Sequence, residues 1–275
     1  MPPSLILLLL SSLVENGAGT GWVRYLIIKN LECKYSTKVL SNKNENKALT
    51  LWETNSYYSL NKKKNLTKFE RNIIQVSKFN ESIIIGLLLS DGYIEKRMGW
   101  NPRIRLEQSF KNFEYLWYLF KIFFIFNSSY PVLIKRMLRN KIFYSLCFKT
   151  RQLSCFNKFY TLFYFNNKKI IKPELYNYID YISIAHWIQG DGSKSNKGLI
   201  LCTDSYSIKE VIILMNILKI KFQIDSSIHY HTSIAPDNKI IKKKVPRIYI
   251  NGKNLNKIKP FIKPYFVKSM LYKID

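Results

Sequence analysis

The sequence is poor in acids and in soft metal ligands. Its 275 residues carry 18 Asp and Glu against 44 Lys and Arg, a formal charge of +26. That excludes an acidic solvating chain and creates a field that attracts polyanions, nucleic acid first and an anionic membrane surface second. Part of the charge is coding bias, since Lys, Asn, Ile, Tyr and Phe, the residues of A/T-rich codons, are all abundant. Cysteine is scarce: Cys33, Cys147, Cys155 and Cys202 stand apart without a CxxC pair. Neither a disulfide framework nor a zinc site is indicated, and a reducing compartment is compatible. His186, His229 and His231 have no Cys or carboxylate at ligand spacing. The apolar run Ser4–Val14 is shorter than the ~20 residues that cross a bilayer, and no Lys or Arg precedes it as in a signal peptide.

What is present is a large apolar complement, 47% hydrophobic and 15% aromatic, enough for one large core or two of roughly 100–150 residues each. Composition changes abruptly at Val23. Residues 23–70 read as a basic polar linker, with SNKNENK at Ser41–Lys47 and NKKKNLTK at Asn61–Lys68. Such charge runs are solvated connections or, alternatively, a basic arm on a phosphate backbone.

Beyond Asn72 the pattern becomes ordered. Ile83–Gly92 reads as a buried helix ending in Asp-Gly. Tyr93–Arg97 and Pro102–Ser109 alternate as half-exposed strands, Asn112–Phe126 is a second helix, Tyr130–Leu138 and Lys141–Thr150 form a hairpin, and Leu153–Phe165 a third helix. The order then recurs: helix Ile182–Gly192, strand Gly198–Thr203, helix Ile208–Phe222, strands Ile228–Thr232 and Arg247–Ile250, helix Leu255–Ile262. Asp91 and Asp191 lie 100 residues apart at matching places, an internal repeat with one acid per copy.

A carboxylate at a helix C-terminus is opposed by the macrodipole, and a divalent cation would relieve that conflict. Helices packed side by side would bring both acids to one oxygen-only site suited to hydrated Mg²⁺. Gly86 and Ser90 on one helix and Ala185 and Gly190 on the other supply the small residues for close approach. Paired acids within a positive surface match metal-assisted phosphodiester hydrolysis. The plainer alternative is that each Asp-Gly merely turns the chain after a core helix.

These residues resemble the LAGLIDADG homing endonucleases in their single-chain, two-motif form. IIGLLLSDG at Ile84–Gly92 fits the motif well; IAHWIQGDG at Ile184–Gly192 is looser, with His186 and Trp187 in place of Gly and Leu. NNKKIIKP at Asn166–Pro173, GLILCTDSYSIKEV at Gly198–Val211 and IKPYFVKSMLYKI at Ile262–Ile274 resemble its fungal mitochondrial, omega-intron-like branch. The resemblance implies an α+β fold, a pseudo-symmetric duplicated αββαββα with two antiparallel sheets as saddles around a central two-helix interface, halves at 71–172 and 173–275, and action as a monomer. It implies Mg²⁺ on Asp91, Asp191 and the adjoining Gly92 and Gly192. Lys169 and Lys273, 78 and 82 residues beyond their aspartates, would stand near each active site beside the phosphate or the hydrolytic water.

On the same resemblance, double-stranded DNA would be read by strand residues. In the first half these are Lys96, Arg97, Arg103, Arg105, Gln108, Lys135, Arg136 and Lys149. In the second they are Lys194, Asn196, Lys197, Thr203, His229, His231 and Arg247. Lys242–Lys244 read instead as a phosphate-holding loop.

Residues 1–22, MPPSLILLLLSSLVENGAGTGW, resemble cytochrome c oxidase subunit 1, as if an exon were translated in frame into an intron. The expected function is a mitochondrial, intron-encoded DNA endonuclease that promotes intron movement. The alternatives are a maturase acting on its own intron RNA and, from the N-terminal stretch alone, an inner-membrane protein.

Overall fold

The computed structural model describes residues 66–138, 140–195, 198–233 and 243–275. Residues 1–22, the linker as far as residue 65, and Asn196 and Lys197 lie outside the described residues. Helix α1 (Lys68–Ile73) opens with a Thr67/Glu70 capping box. Helix α2 (Lys78–Leu89) starts where the Ser77 hydroxyl accepts from the Asn80 amide at 3.2 Å. It is followed by β1 (Tyr93–Glu95), β2 (Arg103–Ser109), α3 (Phe113–Ile122), β3 (Val132–Leu138), β4 (Lys141–Lys149) and α4 (Asn157–Phe163). A small hairpin comes next, β5 (Tyr164–Phe165) and β6 (Lys168–Lys169), turning through Asn166 and Asn167 at φ 47° and 60°. Asparagine tolerates that left-handed pair, which suits a two-residue hairpin turn.

The second half repeats the plan with α5 (Tyr181–Asp191), β7 (Gly192–Ser195), β8 (Gly198–Leu201), α6 (Ile208–Phe222), β9 (Ser226–Ser233), β10 (Lys243–Asn251) and α7 (Gly252–Ile262). The two four-stranded sheets have the same antiparallel order, β1-β2-β4-β3 and β7-β8-β10-β9. The fold is therefore α+β, an αββαββα unit occurring twice. No helix among the described residues is long and apolar enough to cross a membrane.

Strand alternation assigns the two faces of each sheet. Ile94, Ile104, Leu106, Leu146 and Phe148 point from the first sheet into the core, as Leu199, Leu201, Ile248 and Ile250 do from the second. The opposite faces turn away from the core and carry the polar residues. α2 and α5 lie at the centre, with Ile83–Ile85 and Leu87–Leu89 of one and Ile184, Ala185, Trp187 and Ile188 of the other fully buried.

Small residues permit the contact between these helices. A Cβ built on Gly86 would meet the Ser183 carbonyl and come within 2.7 Å of the His186 Cβ, and one on Gly190 would collide with the Ser90 side chain. At the other end the Ser82 hydroxyl donates to Asp180, the α5 N-cap, whose capping box with Ser183 starts that helix.

Several elements differ from the sequence reading. β7, GSKS, was not predicted, because small polar residues give no alternation signal. Tyr164 and Phe165 leave the predicted third helix to form β5, so that Tyr164 can accept the Ile94 amide with its hydroxyl at 3.0 Å. Of the predicted loop Lys242–Lys244, Lys243 and Lys244 belong to β10, and Lys242 lies outside the described residues.

Candidate active site

Asp91 follows α2 by two residues and Asp191 ends α5. Asp91 reaches across the helix seam: a Cβ added to Gly190 would sit 3.3 Å from its Oδ2. Asp91 is exposed and Asp191 half-buried. Burial, reinforced by the Asp91 carboxylate, pushes the Asp191 carboxyl up to about 7 against the opposing pull of Lys169 and Lys273. The two acids thus share one electrostatic site.

Each helix end meets one of the two predicted lysines. Lys169 Nζ donates to the carbonyls of Ser90 and Gly92 at 3.4 and 3.2 Å. Lys273 Nζ donates to those of Ile188, Gln189 and Gly190 at 3.3, 2.7 and 3.1 Å. The last carbonyls of a helix lack intrahelical donors and carry the negative end of the dipole, so each ammonium answers both. Burial drives Lys169 down to about 8, although both aspartates favour its charge. Lys273 is lowered in the same way, by burial. Tyr206, from the second half, donates to the Leu88 and Leu89 carbonyls at the end of α2.

Gln108 and Thr203 depart from the expectation of outward-facing readers. Gln108 has the parity of Ile104 and Leu106, is buried, and donates through Nε2 to Asp91 Oδ2 at 2.5 Å while accepting from Asn112 at 2.9 Å. Thr203 is fully buried and donates to the Pro246 carbonyl. Lys135 pairs with Tyr144 on the register face of Leu133 and Leu146, and Lys194 pairs with buried Leu199. Both are exposed but stand opposite the polar faces.

The remaining candidates fit the expectation better. Arg103, Arg105, Arg136 and Lys149 share the outer face of the first sheet, and His229, His231 and Arg247 that of the second. Lys96 and Arg97 are exposed just beyond β1.

Gly92 and Gly192 are buried, and their amides close the helix ends on Leu87 and on Ile188. The Gly92 carbonyl accepts from Lys169 with one of its two lone pairs. His186 is buried in the seam, 3.1 Å from the Tyr115 hydroxyl through Nδ1, and burial pushes it down to about 3. It is a neutral packing residue. Sequence reasoning also missed Tyr206 and Asn112.

Chemically, the arrangement is two carboxylates, two buried ammonium groups and one oriented amide at the junction of two cation-bearing sheets. Among the described residues no cluster of three or more His, Cys, Asp or Glu could hold a metal. The donor set is all oxygen and sparse, which suits a hard cation that keeps most of its water.

A model of the LAGLIDADG DNA endonuclease family matches residues 81–258. The chain is 33% identical over 216 residues to "Probable intron-encoded endonuclease 1" of Wickerhamomyces canadensis, covering 75% of this chain and 88% of that protein. It is 33% identical over 204 residues to cytochrome b mRNA maturase bI2 of Saccharomyces cerevisiae, covering 70% of this chain and 46% of the maturase. Among solved structures, the homing endonuclease I-WcaI bound to its DNA recognition sequence is similar, with a TM-score of 0.66 and 28% identity over 86% of this chain and 96% of that one.

Proposed function

Since the chain belongs to the LAGLIDADG DNA endonuclease family, we propose that it is an intron-encoded, site-specific double-strand DNA endonuclease that promotes movement of its intron. The observation that carries this reading is the meeting of Asp91 and Asp191 across the α2–α5 seam, each helix end bearing a buried lysine.

In this reading Asp91 and Asp191 hold divalent metal, Mg²⁺ by preference, with one acid serving each DNA strand. The bound ion supplies an activated water and charge stabilisation at the leaving oxygen. Gln108 orients one oxygen of Asp91 by its amide. Lys169 and Lys273 keep positive charge beside the acids, where the negative charge of a reacting phosphate would otherwise be unopposed. The outer sheet faces, from Arg103 to Lys149 and from His229 to Arg247, contact the duplex.

The two halves, divided at residues 172 and 173, sit on one chain and act as a monomer. The relatives' intron-encoded and cytochrome b maturase names support a mitochondrial, intron-borne setting. If residues 1–22 are oxidase exon, the target straddles the exon junction after the codons for GAGTGW.

Purified protein with Mg²⁺ should linearise a plasmid carrying the intronless junction and leave it intact in EDTA. Asp91→Asn and Asp191→Asn should each abolish double-strand cutting. An intact plasmid under all conditions would count against the reading. The similarity to a named maturase supports a second activity on intron RNA, which splicing of the precursor with and without protein would detect.

A further inference from the structure

The outer face of the first sheet contains two carboxylates where a surface for a polyanion gains nothing from negative charge. Glu95 accepts from Arg103 Nε at 2.7 Å and from Arg105 Nη1 at 3.2 Å, with Lys149 Nζ 3.9 Å away. Glu107 accepts from Arg105 Nη2 at 3.2 Å, from Arg136 at 2.8 and 2.9 Å, and from the Ser145 hydroxyl at 2.7 Å. Arg105 therefore bridges both acids, and register places all of these residues on one face of β1, β2, β3 and β4. Burial raises both carboxyl groups, but the hydrogen bonds from Arg103 and Arg105 to Glu95, and from Ser145 and Arg136 to Glu107, bring each below its usual range.

A network of this kind contributes some stability, but stability alone does not account for carboxylates on a face proposed to meet a polyanion. Among the described residues the second sheet does not repeat it. By register, Ile200 stands where Arg105 does and Cys202 where Glu107 does, and the corresponding face holds the pair Arg247–Asp204 instead. What the carboxylates change is the freedom of the cations. An unrestrained guanidinium settles on phosphates, which carry no sequence information. One anchored through part of its fork keeps its remaining donors in a fixed direction, the condition for pairing with a base edge.

We propose that Glu95 and Glu107 are specificity-determining positioning residues that hold Arg103, Arg105 and Arg136 toward base edges and away from phosphates in the first half of the DNA site. This rests on the DNA endonuclease reading. The test is selection from a library of randomised duplexes by the full chain, with Ca²⁺ in place of Mg²⁺, followed by sequencing of the bound pool.

Wild-type protein selects a two-part site. Glu95→Gln and Glu107→Gln lower base discrimination at least tenfold at positions under the first half and leave those under the second half unchanged. Affinity for random duplex rises in these variants, and the log–log salt dependence steepens by about 0.9 for each guanidinium released onto a phosphate. Arg136→Gln, whose side chain is 59% exposed and therefore safe for the fold, also loses discrimination under the first half alone.

Unchanged preference in the glutamate variants overturns the proposal, as does a loss spread equally over both halves. If wild-type protein selects no sequence, the endonuclease reading falls and takes this inference with it.

Discussion

Replacing Asp191 by asparagine should stabilise the metal-free protein while abolishing cleavage. The carboxyl is pushed from 3.8 to about 7 by burial and by Asp91, a balance that already includes the attraction of Lys169 and Lys273. At ~1.36 kcal/mol per pH unit, that displacement sets a ceiling of about 4 kcal/mol on the cost of ionising it in the folded state. Solvent reaching the site through exposed Asp91 reduces that to roughly 2 kcal/mol. A raised carboxyl leaves stability untouched below the unfolded value of 3.8. Its cost grows between pH 3.8 and about 7 and stays constant above.

Urea unfolding in EDTA at pH 4, 5.5 and 7.5 measures this directly. The Asp191→Asn variant and wild type should nearly coincide at the lowest pH and diverge in favour of the variant at the highest, with Tm higher by about 4–8 °C for a domain of this size. Added Mg²⁺ should narrow the gap, since a ligand binding only the native state stabilises by mass action. A variant no more stable than wild type at pH 7.5, or a gap independent of pH, would refute the electrostatic account of the site.

Three further outcomes follow from the same contacts. Gly86→Ala should lose about 1–3 kcal/mol in chemical denaturation, because the new methyl strikes Ser183 and His186, although helix propensity alone favours Ala by ~1 kcal/mol; a more stable variant would show that the seam is loose. Lys273→Met should destabilise by about 1–3 kcal/mol by removing the ammonium hydrogen bonds to the Ile188, Gln189 and Gly190 carbonyls, of which Ile188 keeps its Gly192 amide. On a supercoiled plasmid it should cut one strand much more slowly than the other, so equal slowing of both would remove Lys273 from a strand-specific role. Tyr115→Phe should cost about 1–2 kcal/mol in thermal melts by leaving His186 Nδ1 unpartnered, with target affinity in a binding titration unchanged.

The central architecture was legible because its signals are redundant. Two long apolar runs end in Asp-Gly at matching positions, and the first-half strands after the first of them alternate cleanly, so the helix pair and the acids could be placed from spacing, while the two complete sheets came from the family resemblance. The finer site was harder to read, for reasons visible in particular residues. Gln108 looked like one more polar strand residue, yet counting parity from Ile104 and Leu106 turns it inward onto Asp91. Arg103 and Arg105 have the opposite parity and face outward. Glu95 and Glu107 carry no motif of their own in a strongly cationic sequence, and only cross-strand register brings Arg105 between them. Lys169 reaches α2 only because the Asn166–Asn167 turn folds it back, and a turn of that kind inside an aromatic segment resembles the end of a helix.

The helix ends explain why acids and lysines occur together here. Ending two buried helices on carboxylates stacks like charge on the negative pole of each dipole, and a lysine beside each end is the direct remedy. Yet the ammonium groups give their hydrogen bonds to main-chain carbonyls, at Ser90 and Gly92 and from Ile188 to Gly190. They stabilise the helix termini and offset only part of the burial and the Asp91 repulsion that make Asp191 resist ionisation. A scaffold selected for stability alone would replace such an acid with a neutral residue. Keeping both acids at the seam, unquenched by the lysines beside them, is what a centre that recruits further positive charge requires.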